Sequence, residues 1–302
     1  MNQFAHEVRS GLSKSQKELP SKYLYDELGS ALFDAITALP EYGLTRADRR
    51  LLCRHAHQLP RGFSSVAEFG SGSGSKTRPV LSAIAPQTYF PIDVSRSALD
   101  HCAAELHGLA EIETIEASYL DGLDAVNRKR EERPLLVLFL GSTIGNFDGR
   151  CRGDFLGQLR QRLQPGDGTL IGFDLVKPID VMLDAYDDPT GVTASFNLNL
   201  LGRINRELGG DFDLRAFQHR ATYDEHERRI EMHLRSRINQ SVSVREADAQ
   251  YTFRADETIW TESSHKFEAD EIPEIARAAG FECEMQWIDR EWPFAESFWR
   301  AV

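Results

Sequence analysis

The chain has 302 residues, 41% of them hydrophobic, enough to bury a sizeable core in one large domain or two interleaved ones. Its 35 basic and 47 acidic residues give a formal charge of −12 with no dense Lys/Arg run, which argues against nucleic acid or an anionic membrane as partner and favours a small-molecule substrate. The four cysteines, Cys53, Cys102, Cys151 and Cys283, form no CxxC pair and no zinc-type Cys/His spacing, so reduced thiols and no metal site are expected.

The N-terminal stretch MNQFAHEVRSGLSKSQKELP is polar, without the apolar centre of a signal peptide, and no later segment approaches the ~20 apolar residues of a membrane span. A cytoplasmic monomer is the expectation. Residues 1–60 read as helical: ELGSALFDAITAL has apolar residues at helical spacing up to Pro40, and TRADRRLLCRHAHQL resumes the pattern behind a Thr45 cap.

From residue 64 the pattern alternates. Strands are predicted at SSVAEF, TYFPID, IETIEAS, PLLVLFLG and TLIGFDLV, with helices after them from about Thr77 to Ile84, in SRSALDHCAAEL, from about Leu123 to Lys129, and in GDFLGQLRQRL. That alternation implies a parallel, doubly wound sheet, and the nearly unbroken apolar runs PLLVLFLG and TLIGFDLV suit strands buried on both faces. After Lys177 come a helical IDVMLDAYDD, a polar-flanked GVTASFNLNLLGRINREL, and strand-like RAFQHRATYD and RRIEMHLRSRI, which together look like an inserted substrate module. ADEIPEIARAAGF reads as a helix stopped at Gly280, followed by two strand candidates, ECEMQWID and FAESFWRAV.

Ligands of such sheets sit beyond the carboxyl ends of the strands. The first of those ends, VAEFGSGSGSKTRPVL, misses the P-loop pattern because Ser75 stands where its second glycine belongs, and it misses the third glycine of GxGxxG at the same residue. What remains is Glu68 two positions before Gly70-Ser71-Gly72, a nucleoside loop without a pyrophosphate; a plain strand-to-helix turn is the alternative. Asp93 follows the second strand, 21 residues beyond Gly72, where a carboxylate can accept both hydrogen bonds of a ribose diol or cap the helix starting near Ser95. Asp121 and Gly122 follow the third strand, as an adenine contact or as an ordinary Asp-Gly turn. Asn146, in GSTIGNF after the fourth, places an amide where the reacting centre should lie. Glu262 and Ser264, two apart in WTESSHKF, share one face of an extended strand and could grip a small polar group, although on these residues alone a solvated strand edge is the better reading.

Many ordered segments together resemble the S-adenosylmethionine-dependent histidine Nα-methyltransferases of ergothioneine biosynthesis. They are KYLYDELGSALFDAITALPEYGLTR, EFGSGSGSKTR, FPIDVS, LGSTIGNF, DLVK, AYDDPTGVTASFNLNLL, INRELGGDFD, AFQH, RRIEMHLRS and TESSHKF. The resemblance implies an α/β fold: a class I methyltransferase core, Rossmann-like with a terminal antiparallel strand pair, plus an α+β substrate domain. The core would be residues 62–176 completed by 267–302, and the substrate domain 1–61 with 177–266. It implies S-adenosylmethionine as cofactor, held by Gly70, Lys76, Asp93, Asp121 and Gly122. It implies L-histidine as substrate, with Tyr42, Asn146, Tyr186, Met232, Glu262 and Ser264 in contact with it and Asn146 and Tyr25 as the catalytic pair. By this resemblance Glu262 and Ser264 hold the imidazole, which displaces the strand-edge reading. Two departures stand out: the family often has PEYYPTR where this chain has PEYGLTR, and the glycine loop carries an extra glycine, Gly74. Methylation of another amino acid, or a non-catalytic adenosine-binding homologue, are the alternative functions.

Overall fold

The structure, a computed structural model, describes residues 2–130 and 132–302, and the chain divides into two compact units. One unit comprises Leu44–Val176 with His265–Val302, the other Met1–Gly43 with Lys177–Ser264.

The first unit is built on an eight-stranded sheet. In spatial order its main path runs Phe281–Asp289, Phe294–Ala301, Gly168–Asp174, Leu135–Phe139, Ser65–Phe69, Thr88–Asp93 and Glu111–Ile112. The central pairs are parallel and the two C-terminal strands are antiparallel to their neighbours, as expected of a doubly wound sheet with a terminal strand pair. Ser65–Phe69, Leu135–Phe139 and Gly168–Asp174 are buried along their whole length, which is why their sequences show no alternation. The predicted strand IETIEAS is instead two short pieces, Glu111–Ile112 and Ile115–Glu116, each pairing with Thr88–Asp93.

The expected core boundary at residue 62 is corrected to 44. Helix Leu44–His55 buries Leu44, Ala47, Leu51 and Leu52 within this unit, and Arg50 forms a two-pronged ion pair with Asp289 at 2.8 Å on each side. That helix is amphipathic toward the C-terminal strands, a partner invisible from its position in the chain. Thr45 lies inside its first turn and so does not cap it.

The second unit carries a four-stranded sheet in the order Lys17–Glu18, Thr258–His265, Arg229–Ser236, Phe217–Asp224 and a separate hairpin of Gln240–Val244 with Ala249–Phe253. Along Arg229–Ser236 burial alternates strictly, with Ile230, Met232, Leu234 and Ser236 inside. The segment GVTASFNLNLLGRINREL is a 17-residue helix, Val192–Leu208, bounded by Gly191 and Gly209 at φ of 78° and 62°. Its sequence obscures the helix because Asn197 and Asn199 are poor helix formers. Both amides find tertiary partners instead, His219 for Asn197 and Asp26 for Asn199. Among the described residues no helix is long and apolar enough to cross a membrane.

Candidate active site

In the first unit the glycine loop follows the buried Ser65–Phe69 strand. Gly70, Gly72 and Gly74 have φ of 66°, 51° and 73°, the left-handed region that L side chains avoid. The extra glycine has a packing cause: a Cβ at Gly74 would stand 2.8 Å from Cys102 Sγ and 2.9 Å from Leu106 Cδ1. It permits the loop to lie close against the C-terminal end of helix Arg96–Glu105, which carries Cys102 and is capped by Leu106. A Cβ at Gly72 would meet nothing within 4 Å, so the loop there borders open space. The Gly72 N–H donates to Asp93 Oδ2 at 3.3 Å, and the Ser95 N–H donates to Asp93 Oδ1 at 2.9 Å. Ser95, through its own hydroxyl, is the residue that caps helix Arg96–Glu105, so Asp93 is not needed for that task. Burial raises the Asp93 carboxyl above the ordinary value against the pull of these backbone donors.

Glu68 lies wholly inside, accepting a hydrogen bond from Thr77 Oγ1 at 2.6 Å and another from the Tyr89 hydroxyl. It thereby ties the strand to the start of the next helix. Burial pushes its carboxyl up to about 7. A raised carboxyl favours the protonated form in the fold, so its stabilisation is complete below the ordinary carboxylate range and is lost as pH rises to about 7. Glu68→Gln is expected to remove that loss. Relative to the native protein it should gain on the order of 3 kcal/mol between about pH 5 and pH 8, read from denaturant titrations at both values. Parallel pH dependence in the two proteins would refute this.

Lys76 places its ammonium 2.9 Å from Asp48 Oδ2, and that oxygen also accepts the Gly141 N–H at 3.0 Å. Burial works against the Lys76 charge, yet Asp48 raises its ammonium above the usual lysine value. Asp121 and Gly122 sit in the first turn of helix Tyr119–Arg130, not in an Asp-Gly turn. Ser118 Oγ donates to Asp121 Oδ2 at 2.5 Å. A Cβ at Gly122 would lie 2.4 Å from Ile92 Cγ2, so that glycine lets the helix settle against the Thr88–Asp93 strand. Asn146 ends the 3-10 turn Thr143–Asn146, which is fastened from two sides. Ser142 Oγ accepts the Asp174 N–H at 2.8 Å, and His265 Nδ1 donates to the Gly145 carbonyl at 2.9 Å.

In the second unit the proposed substrate residues gather around aromatic contacts. Tyr25 makes edge contacts with Phe33 and Phe196, each at 5.4 Å, and Tyr42 contacts Phe33 at 6.3 Å and Tyr186 at 6.1 Å. The Tyr186 hydroxyl donates to Ser264 Oγ at 2.7 Å. Glu262 and Ser264 lie on the extended strand Thr258–His265, as their spacing requires. Met232 is buried on the adjacent strand, and its carbonyl accepts from Thr261 Oγ1 at 3.0 Å.

Sequence reasoning missed the supports of these residues. Buried His219 approaches the Tyr186 carbonyl with Nε2 at 2.8 Å, while the Asn197 amide meets its Nδ1 at 2.9 Å. Burial holds this imidazole below the usual histidine range, so its neutral form donates from Nε2 and accepts at Nδ1. Asp48, hidden among charges in TRADRR, gave no signal, whereas Glu296 inside the apolar run FAESFWRAV was a visible anomaly. Among the described residues, no group of three or more His, Cys, Asp or Glu could hold a metal ion.

Comparison with known proteins places the chain in a family. The SAM-dependent, histidine-specific methyltransferase family matches residues 4–301. A histidine N-alpha-methyltransferase of Mycolicibacterium smegmatis is 41% identical over 94% of this chain and 90% of its own length. One from Mycobacterium tuberculosis is 40% identical over 96% and 92%. An L-tryptophan methyltransferase of Psilocybe serbica is 28% identical over 95% and 89%, with the same span but less likeness. With nearly its whole length matched, this chain belongs to the SAM-dependent, histidine-specific methyltransferases.

Proposed function

We propose that the protein transfers methyl groups from S-adenosylmethionine to the α-amine of L-histidine, as far as the trimethylated product. The observation that carries this reading is the group formed by Tyr25, Tyr42, Tyr186 and Ser264: Phe33 bridges the rings of Tyr25 and Tyr42, Tyr42 meets Tyr186, and Tyr186 bonds Ser264 at 2.7 Å, with Glu262 on the same strand as Ser264.

In this reading the cofactor supplies the electrophilic methyl, and the protein supplies binding, alignment and exclusion of water. Its contacts would be Gly70, Lys76, Asp93, Asp121 and Gly122: the open face at Gly72 leaves room, Asp93 offers a carboxylate to a ribose diol, and Asp121 offers one to an exocyclic amine. Glu262 and Ser264 would hold the imidazole. Glu262 as acceptor and the Ser264 hydroxyl as donor match the two ring nitrogens of an imidazole, whereas an indole offers one N–H and no ring acceptor. Asn146, Tyr186 and Tyr25 would hold the amine and carboxylate, while Tyr42 and Met232 bound the substrate. Attack requires a neutral amine, and an amide with tyrosine hydroxyls can orient it through successive additions without trapping it as an ammonium ion, as a lone carboxylate would.

The test is mass spectrometry of the purified protein incubated with S-adenosylmethionine and a panel of amino acids. Histidine gaining one, two and three methyl groups is expected. Methylation of tryptophan in preference to histidine would overturn the substrate assignment, and absence of any methylated amino acid would overturn the activity.

A further inference from the structure

Beneath the glycine loop of the first unit lies a buried set of acids that the reaction as described does not use. Asp48 is fully buried and Glu296 is 1% exposed. Asp48 commits one oxygen, Oδ2, to the Lys76 ammonium and to the Gly141 N–H. Its other oxygen, Oδ1, and both oxygens of Glu296 have no hydrogen-bond partner as ionised groups. Glu296 reaches this point because its strand partner is Gly172: a Cβ at Gly172 would stand 2.9 Å from Glu296 Oε1 and 3.2 Å from the Gly141 nitrogen. Gly141 is permissive in the same way, since a Cβ there would stand 2.7 Å from Lys76 Nζ. Two glycines thus clear the space in which Lys76, Asp48 and Glu296 meet.

Two ionised carboxylates side by side, buried, with one cation between them and no donor for the free oxygens, would carry several kcal/mol of uncompensated cost. A single proton resolves it: a protonated Glu296 donates to Asp48 Oδ1, leaving one carboxylate to balance one ammonium. We propose that Asp48 and Glu296 share one proton as a carboxyl–carboxylate pair, and that this pair is a positioning device fixing Lys76 and the Gly141 N–H for the anionic end of the cofactor. Burial and the adjacent Asp48 charge act in that direction, raising the Glu296 carboxyl well above the ordinary value against the pull of Lys76. The other ionisable groups facing this cluster are Glu68, which acts on both Lys76 and Glu296's partner Asp48, and behind Glu68 the Tyr89 hydroxyl and Cys102 thiol, both raised by burial.

The consequence for binding rests on the cofactor assignment made above, while the shared proton does not, so the experiment reads them separately. The proton is read by infrared spectroscopy of the ligand-free protein in a Glu68→Gln background at about pH 8, where carboxyls with ordinary values are ionised. A protonated-carboxyl band is expected there, and it should vanish on adding Glu296→Gln. Lack of the band, or its persistence after that change, overturns the pair.

The positioning role is read by calorimetric titration with S-adenosylhomocysteine from about pH 6 to pH 9. The native protein and Glu68→Gln should both lose affinity at the alkaline end, as the second carboxylate appears next to Lys76. Glu296→Gln, whose amide can donate to Asp48 at any pH, should stay within about threefold of native affinity at neutral pH and lose the alkaline decline. Glu296→Ala and Asp48→Asn should weaken binding at least about tenfold across the range, the scale of one hydrogen bond to a charged group. Glutamine behaving like alanine at position 296, or native affinity in Asp48→Asn, overturns the role. If the native protein does not bind S-adenosylhomocysteine at all, the cofactor assignment and the role fall together, and the infrared band still decides the pair.

Discussion

Glu262→Ala is expected to raise the KM for histidine about 10- to 150-fold with little change in the affinity for S-adenosylhomocysteine. The magnitude is that of one hydrogen bond to an ionised acceptor, about 1.5–3 kcal/mol. Its specificity follows from location: Glu262 stands half-buried on the Thr258–His265 strand of one unit, and the glycine loop, Asp93 and Lys76 all belong to the other. Glu262→Gln separates charge from shape. An amide oxygen still accepts from an imidazole N–H, so an intermediate loss is expected, whereas a purely packing role would leave glutamine at native affinity. Steady-state rates at varied histidine give the answer, and an unchanged KM in Glu262→Ala would remove Glu262 from the imidazole site.

Asp93→Ala is expected to weaken S-adenosylhomocysteine binding on the order of 100-fold or more while leaving the unit that carries Tyr186 and Ser264 intact. Two effects add. A ribose diol would lose both of its acceptors, and the Gly72 N–H would lose the carboxylate that holds the loop to the strand end at 3.3 Å. The adjoining helix keeps its own cap through Ser95, so global stability should fall far less than affinity. Calorimetry alongside thermal melting separates the outcomes. A melting temperature that collapses in step with the affinity would make Asp93 a structural latch, and unchanged affinity would place the ribose elsewhere.

Both variants probe charged groups whose environment the fold has set, and the buried carboxyls are a third instance. Glu68, Asp93 and Glu296 are all raised by burial, for different purposes. Glu68 joins the strand to the next helix through Thr77, Asp93 holds the glycine loop through the Gly72 N–H, and Glu296 lies near Lys76. Beside Lys76 a protonated Glu296 would supply polarity without a second negative charge, whereas Asp93 serves as the acceptor of the Gly72 and Ser95 N–H groups.

The sequence by itself determined the doubly wound sheet, because strands buried on both faces must be continuously apolar and the helices between them cannot be. It determined the strand ends at which Gly70, Asp93 and Asn146 stand, and the extended strand beneath Glu262 and Ser264, since periodicity and turn residues are local properties. It did not determine the unit to which Leu44–His55 belongs, because an amphipathic helix announces an apolar face but not the surface that covers it. Nor did it reveal helix Val192–Leu208, where Asn197 and Asn199 are tolerated only because His219 and Asp26 receive their amides from distant parts of the chain. The need for Gly74 and Gly122 was likewise decided by Cys102, Leu106 and Ile92, neighbours brought by packing. Asp48 and Glu296 are 248 positions apart (296 minus 48), and only a sheet that places Glu296 opposite Gly172 brings a second carboxyl to the first. Hydrophobic pattern is written residue by residue, whereas the pairing of buried charges depends on which distant side chains share one dry volume, and that is settled only by the tertiary structure.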